Sequence, residues 1–342
     1  MRLRVLSLAA IVLAAALAAC AGGGGAGDDQ PTEKRAITVY NAQHEDLLVE
    51  MAPLFEKETG IEVKLRHGKD FELANQLVAE GAKTPADVFL TENSPAMSLV
   101  ESKNLFAPLP DQILDKIPAN YRPKSGAWTG WAGRATVLVY NASDVTEAQL
   151  PASILDLAEP QWKGRISFSP SGADFQAIVS AVLQLEGESA TKAWLAGLKE
   201  NATIYRNNLV VMNAVNDGKT DTGVIYHYYW YRDQAEAGTN SKNAKLHFFG
   251  NEDPGAFLSV SGAGVLQASK NKADAERFVD FLVSKAGQDA LANSYALEYP
   301  LNRSVSLKPP VRPLAELEPP TVDVTKLNGP KVIELMQEAG LL

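Results

Sequence analysis

Three short stretches carry side chains whose types suit the capture of a hard metal ion. His44 follows the apolar run Ile37-Thr38-Val39-Tyr40-Asn41. Glu92 follows Ala86-Asp87-Val88-Phe89-Leu90-Thr91, and the aromatic cluster Tyr226-His227-Tyr228-Tyr229-Trp230-Tyr231 follows Thr222 to Ile225. Phenol is a poor ligand for soft or divalent metals at neutral pH, because its reference pKa is about 10. A hard, highly charged cation displaces that proton, since ligand deprotonation and metal binding are linked. Oxygen-rich ligation with one imidazole therefore fits a hard ion better than copper or zinc. Two phenolates and one carboxylate together match the charge of a ferric ion. A neutral imidazole makes a fourth ligand and leaves about two octahedral positions for an anion or water. Adjacent residues diverge by about 100° on a helix and about 180° on a strand, so joint ligation by Tyr228 and Tyr229 calls for an irregular local backbone. Each stretch also has a plain structural reading. His44 would cap a helix starting at Glu45, Glu92 would be a solvated acid suited to a helix start, and the aromatic run would be packing.

The elements that must position these groups alternate between strand and helix. Ile37 to Asn41 reads as a buried strand. Glu45 to Thr59 carries a helical stripe of Leu47, Leu48, Met51, Leu54 and Phe55, and Gly60 stops it. Ile61 to Leu65 alternates as a strand, Phe71 to Glu80 is helical, Ala86 to Thr91 is a third strand and Ala96 to Lys103 a third helix. A second such region has strands at Ala135 to Tyr140, Arg165 to Phe168 and Thr222 to Ile225, with helices at Phe175 to Leu185 and Thr191 to Lys199. The βαβ pattern implies mostly parallel sheets flanked by helices. Ligands in such folds sit beyond the carboxyl ends of strands, where His44, Glu92 and the tyrosines fall. Ala273 to Ala290 reads as a packing helix. The proline-rich segment around Lys308 to Pro320 reads as an extended strap before a final helix, Val332 to Ala339.

The chain has 342 residues, enough for two domains, and its 46% hydrophobic and 21% charged content is that of a globular protein. Its 32 basic and 41 acidic residues leave a net charge of −9, with no long basic block, which excludes nucleic acid as a partner. The sole cysteine, Cys20, rules out an internal disulfide and a CxxC metal site. It follows Met1-Arg2-Leu3-Arg4, an apolar run to Ala19 and the tripeptide Leu17-Ala18-Ala19, which is too short for a comfortable membrane span. Residues 1–19 read as a signal peptide that ends in a segment resembling the lipobox of bacterial lipoproteins. Cys20 would then be lipidated, and residues 20–35, rich in glycine, would be a flexible tether. The expected location is the extracytoplasmic face of the cell membrane.

At this level of detail the sequence resembles the periplasmic ferric-ion-binding proteins of bacterial ABC transporters, the bacterial transferrins. The resemblance is carried by Ile37 to His44, Phe55 to Val63, Thr84 to Glu92, Gly133 to Asn141, Trp162 to Ile166, Tyr228-Tyr229-Trp230 and Glu298-Tyr299-Pro300-Leu301-Asn302. It implies an α/β, two-lobed type II periplasmic-binding-protein fold, each lobe a mixed, mostly parallel sheet flanked by helices, with a hinge between. The first lobe would comprise residues 36–134 with about 261–311, the second 135–260 with about 312–342. It also implies His44, Glu92, Tyr228 and Tyr229 as ferric ligands. A synergistic anion such as phosphate or carbonate would be held by Ser171, Gly172 and Ala173, with Asn208 and Asn93 as donors and Arg134 nearby. Two departures stand out: His227 replaces the family's usual Asn, and Asp174 sits beside the anion amides, where its charge would repel phosphate. The partners implied are a ferric ion and an ABC permease, with the protein acting as a monomer. An alternative within the same architecture is an organophosphonate-, polyamine- or thiamine-binding protein. An enzyme is disfavoured, since no GxSxG elbow, HExxH or two-His-one-carboxylate set appears.

Overall fold

A computed structural model describes residues 35–342, so the expected signal peptide, Cys20 and most of the expected tether lie outside the described residues. The first part of the chain runs β1 (Ala36–Asn41), α1 (Glu45–Thr59), β2 (Glu62–His67), α2 (Asp70–Glu80), β3 (Val88–Leu90), α3 (Ser94–Ser102) and α4 (Asp111–Leu114). The middle part runs β4 (Thr129–Asn141), β5 (Ile166–Phe168), α5 (Ala173–Asn201), β6 (Ala202–Ile204), α6 (Asn208–Asn216), β7 (Thr222–Tyr226) and α7 (His227–Glu236). The chain closes with β8 (Ala244–His247), β9 (Leu258–Val265), α8 (Lys272–Val283), α9 (Lys285–Asn293), β10 (Tyr299–Pro300) and α10 (Gly329–Glu338).

Local chemistry accounts for the elements that lead to the site. In α1 the stripe Leu47, Leu48, Met51 and Phe55 is buried, and Phe55 packs against the Phe278 ring at 5.1 Å. Gly60 ends the helix in the left-handed conformation with φ 71°, where glycine carries no Cβ penalty, and its N–H bonds the Glu56 carbonyl. The two helices expected at Phe175 to Leu185 and Thr191 to Lys199 form one run, α5, broken at Gly187 with φ 81°. The helix expected over Ala273 to Ala290 is instead two. Ser284 turns extended between them, and its side chain accepts the Gly287 N–H to cap α9.

The strands make one continuous sheet in the order β2-β1-β3-β9-β4-β7-β5-β6, with β8 and β10 also pairing with β4. The sheet is mixed. β1 is parallel to β2 and β3, and β5 to β6 and β7, but β9 and β4 run antiparallel to their neighbours. The two halves repeat one plan. β1, β2 and β3 connect through α1 and α2 and finish against the return strand β9; β5, β6 and β7 connect through α5 and α6 and finish against the return strand β4. β4 belongs to both halves, pairing with β9 over Thr129–Ala135 and with β7 over Thr136–Tyr140. Parallel strands with helical crossovers are legible as alternating patterns, whereas a return strand arrives from far along the chain, so the antiparallel seam escapes a local reading. Each half has its own core, one around Phe55, Trp131 and Phe278 and the other around Phe168, Phe175 and Trp194.

Candidate functional site

The carboxyl ends of β1 and β3 face those of β5 and β7, and every group singled out in the sequence lies on or near that line. His44 stands just before α1 and makes no side-chain cap hydrogen bond, so its ring is free for other work. That ring meets Tyr228 edge-on, with centroids 5.3 Å apart. Glu92 follows β3, and its Oε1 lies 4.0 Å from His44 Nε2. A cavity of about 570 Å³ opens here, lined among others by His44, His67, Glu92, Ser171, Gly172 and Ala173.

Tyr226 is extended, with φ −94° and ψ 150°, and α7 starts at His227. Tyr228 and Tyr229 therefore lie in the first turn of a regular helix, not on the irregular backbone that joint ligation was expected to need. Their rings nevertheless stack, with centroids 4.2 Å apart and planes 27° from parallel. The divergence at Cα is taken up by two long side chains. The helix N-terminus supplies a partial positive charge that favours phenolates in this turn. Tyr228 is fully buried and its hydroxyl has no hydrogen-bond partner, while the Tyr229 hydroxyl donates to Asp174 Oδ2 at 3.4 Å. Burial, then the neighbouring Tyr229, pushes the Tyr228 phenol well above its ordinary range; burial and Asp174 do the same to Tyr229.

Charges surround the phenols. Arg134, fully buried on β4, places Nη1 2.6 Å from Glu92 Oε1 and Nε 3.9 Å from Glu298 Oε2. Burial opposes its charge, but the two carboxylates outweigh that and hold the guanidinium firmly protonated. For His44, burial works against protonation, and the Glu298 and Glu92 carboxylates overcome it, raising the pKa. Asp70 is pushed up to about 7 by burial and by Glu92, while accepting the Glu92 and Asn93 backbone N–H groups. Asp174 is pushed up to about 8, first by burial and then by Glu92.

The expected anion donors are engaged by the chain's own carboxylates. Asn208 Nδ2 donates to Asp174 Oδ2 at 2.8 Å, and Asn93 Nδ2 donates to Asp70 Oδ2 at 3.2 Å. Asn93 Oδ1 in turn accepts from Arg134 and Ser259. Asn208, Asn93 and Arg134 thus each already contact a side chain of the protein itself. Of the six anion-site candidates, Ser171, Gly172 and Ala173 at the start of α5 line the open cavity. The sequence reading gave no role to Glu298, which is fully buried with Oε1 3.2 Å from His44 Nε2. Its signal was an acid within the apolar stretch Ala296-Leu297-Glu298-Tyr299-Pro300-Leu301, where a carboxylate is buried only if paired.

Residues 83–326 match the model of the bacterial extracellular solute-binding protein family. The chain is 51% identical over 308 residues to the Fe(3+)-binding periplasmic protein of Serratia marcescens, covering 90% of this chain and 91% of that one. It belongs to the ferric-ion-binding group of these solute-binding proteins. Among solved structures, iron-bound HitA from Pseudomonas aeruginosa superposes with a TM-score of 0.84 at 39% identity, covering 90% of this chain and 99% of that one. The Trichodesmium protein IdiA (FutA), in complex with iron and citrate, gives 0.78 at 28% identity over 90% of this chain and all of that one. The solute-binding protein accordingly has the two-lobed type II periplasmic-binding-protein fold. Among its described residues no group of three His, Cys, Asp or Glu side chains is disposed to hold a metal by itself.

Proposed function

We propose that this solute-binding protein captures ferric iron with Tyr228, Tyr229, His44 and Glu92 and delivers it to the permease of an ABC importer. The observation that carries the reading is the Tyr228 hydroxyl, fully buried, without a partner, stacked on a second phenol and beside an imidazole. An unsatisfied buried hydroxyl costs about 1–3 kcal/mol, and packing alone calls for phenylalanine. A ferric ion replaces the proton and turns the liability into a bond. Its relatives support the cargo, since the Serratia protein is named for Fe(3+) and the Pseudomonas structure holds iron. Like them, the protein is a binding protein and not an enzyme.

Loading begins at the tyrosine pair in this reading. The first lobe, residues 36–134 with about 261–311, then turns against the second, residues 135–260 with about 312–342, and brings His44 and Glu92 onto the ion. Glu92 leaves Arg134, which keeps Glu298 as its counter-ion. A synergistic phosphate or carbonate at Ser171 to Ala173 was the finer expectation. Asp174, already holding the Asn208 amide and the Tyr229 hydroxyl, argues that the chain fills the anion's bonding position with its own carboxyl group. Cys20, lipidated, would keep the protein on the extracytoplasmic face of the membrane, within reach of its permease.

Titration of the iron-free protein with a ferric chelate tests the reading. The expected result is one ion per chain and a visible phenolate-to-iron charge-transfer band, formed in buffer free of phosphate and carbonate. Absence of the band in every buffer refutes the ferric site; a band that needs phosphate refutes the role given to Asp174.

A further inference from the structure

His227 has no task among the ferric ligands, yet it is fully buried immediately before the tyrosine pair. β7 ends with Tyr226 opposite Thr136 of β4, and one further step in that register sets Ala135 against His227. The chain turns into α7 at that step, so the ladder stops and the Ala135 N–H, on a buried strand, needs another partner. The imidazole supplies it: His227 Nδ1 accepts the Ala135 N–H at 3.2 Å. An accepting Nδ1 leaves the ring proton on Nε2, which donates to the Leu297 carbonyl at 3.0 Å.

The same face of α7 makes further ties. The His227 ring stacks on Tyr299 at 4.5 Å, with planes 18° apart. Tyr299 pairs with Gly133 of β4, and its hydroxyl donates to the Arg312 carbonyl at 2.8 Å. The Arg312 N–H returns to α7 by donating to the Tyr231 hydroxyl at 3.3 Å. His227 and Tyr231 are one turn apart and so share a face of the helix. Tyr231 packs in the core of Phe55, Trp131 and Phe278, whereas Tyr228 packs in that of Phe168, Phe175 and Trp194. The helix that carries the phenols thus has a face on each half. Leu297 bends to meet it: its φ is 54°, in the left-handed region that a bulky side chain rarely enters, and such strain persists where surrounding contacts impose it.

We infer that His227 is a positioning residue for the tyrosine pair. Its two ring nitrogens pin the first turn of α7 to Ala135 and to Leu297, and so set the directions in which Tyr228 and Tyr229 leave that turn. Groups that orient a metal's ligands act from behind them in this way, and losing one weakens metal binding about 10–100-fold. The inference rests on Tyr228 and Tyr229 being ferric ligands, and its test separates the two.

The first measurement needs no iron. In the full-length iron-free protein, nitrogen chemical shifts of the His227 ring should show a neutral imidazole with its proton on Nε2. His227→Phe keeps a flat ring for Tyr299 and loses both bonds, and it should weaken the nuclear Overhauser contacts of the Tyr228 ring with Tyr229 and His44. H227N keeps an acceptor near the place of Nδ1, and H227Q keeps a donor near that of Nε2. Each should weaken those contacts less, and the two carry the comparison with wild type if the phenylalanine variant does not fold. A proton on Nδ1, or wild-type contacts in every variant that folds, overturns the inference whatever iron does. The second measurement is a ferric titration. His227→Phe should weaken binding about 10–100-fold and shift the phenolate-to-iron band, in the wild-type background and in His44→Ala alike. A lower melting temperature with the band and affinity of wild type means that His227 serves only the fold and overturns the inference. So does an effect that vanishes once His44 is alanine. A wild type with the expected ring proton and contacts but no ferric band would instead refute the ferric reading.

Discussion

Tyr40 in β1 and Tyr228 in α7 are both wholly buried, yet their hydroxyls have opposite fates. The Tyr40 hydroxyl donates to Glu80 at 3.1 Å and receives from Arg66 at 3.0 Å and Gln76 at 3.3 Å. The Arg66 guanidinium also lies over its ring, 4.9 Å from the centroid. The Tyr228 hydroxyl has no such partner, and the Tyr228 ring meets that of His44 edge-on. Ring burial is the same in the two places and says nothing about role. What separates a structural tyrosine from a functional one is whether the fold has already spent the oxygen, because native proteins leave few buried polar atoms unpaired.

The largest test of that contrast removes the unspent oxygen together with that of its stacked neighbour. Replacing Tyr228 and Tyr229 together with phenylalanine should abolish the visible band and ferric binding, while the protein still folds. Retention of both the band and the affinity would place the ion elsewhere and erase the distinction.

A smaller and more discriminating pair follows. Tyr40→Phe strips a satisfied hydroxyl and should cost about 1 kcal/mol of folding stability, with iron binding unchanged. Tyr228→Phe alone strips an unsatisfied one, so the iron-free protein should unfold at the same temperature or higher while ferric affinity falls. Calorimetric melting of the two iron-free variants, set beside their titrations, gives a crossed pattern. If both variants lose stability alike, the Tyr228 oxygen is as well partnered as that of Tyr40 and the argument from its isolation fails.

Much of this was legible in the chain. The stripe of α1 and its Gly60 stop, the alternation of β2 and the ends of β1, β3 and β7 all follow from short-range patterns, and those ends carry His44, Glu92 and the tyrosines. Local periodicity does not show how β9 returns between β3 and β4, because that pairing joins residues far apart in sequence. It also does not show how the charges divide. Arg134 reads as a cation near an anion pocket, but the fold gives it to Glu92 and sets it near Glu298. Asp174 reads as a group that repels an anion, but the fold puts it where an anion would be bonded. Tyr228 and Tyr229 stack on a regular helical turn because the reach of their side chains takes up the divergence of their Cα directions. Residue types mark the site, and only long-range packing assigns the partners.

The smallest expected effect concerns the spent oxygen. Burial alone would raise the pKa of Glu80, but hydrogen bonds from Gln76, Thr84 and Tyr40 outweigh it and hold the carboxyl below its ordinary value. Between the folded and unfolded pKa values the native chain binds fewer protons, so stability rises with pH across that window. The contribution is complete above the ordinary carboxylate range and is lost as the pH falls through the folded value. Tyr40→Phe deletes one of the donors, which moves the folded pKa back toward normal. Urea unfolding of wild type and Tyr40→Phe, followed from about pH 6 to about pH 3, should then show a stability gap that narrows with acidification. The gap narrows because protonated Glu80 no longer accepts a charge-assisted bond from the phenol. A gap that stays constant over that range would mean that the Tyr40 oxygen is satisfied by Arg66 and Gln76 without Glu80. The contrast with Tyr228 would then rest on hydrogen-bond geometry alone and not on charge.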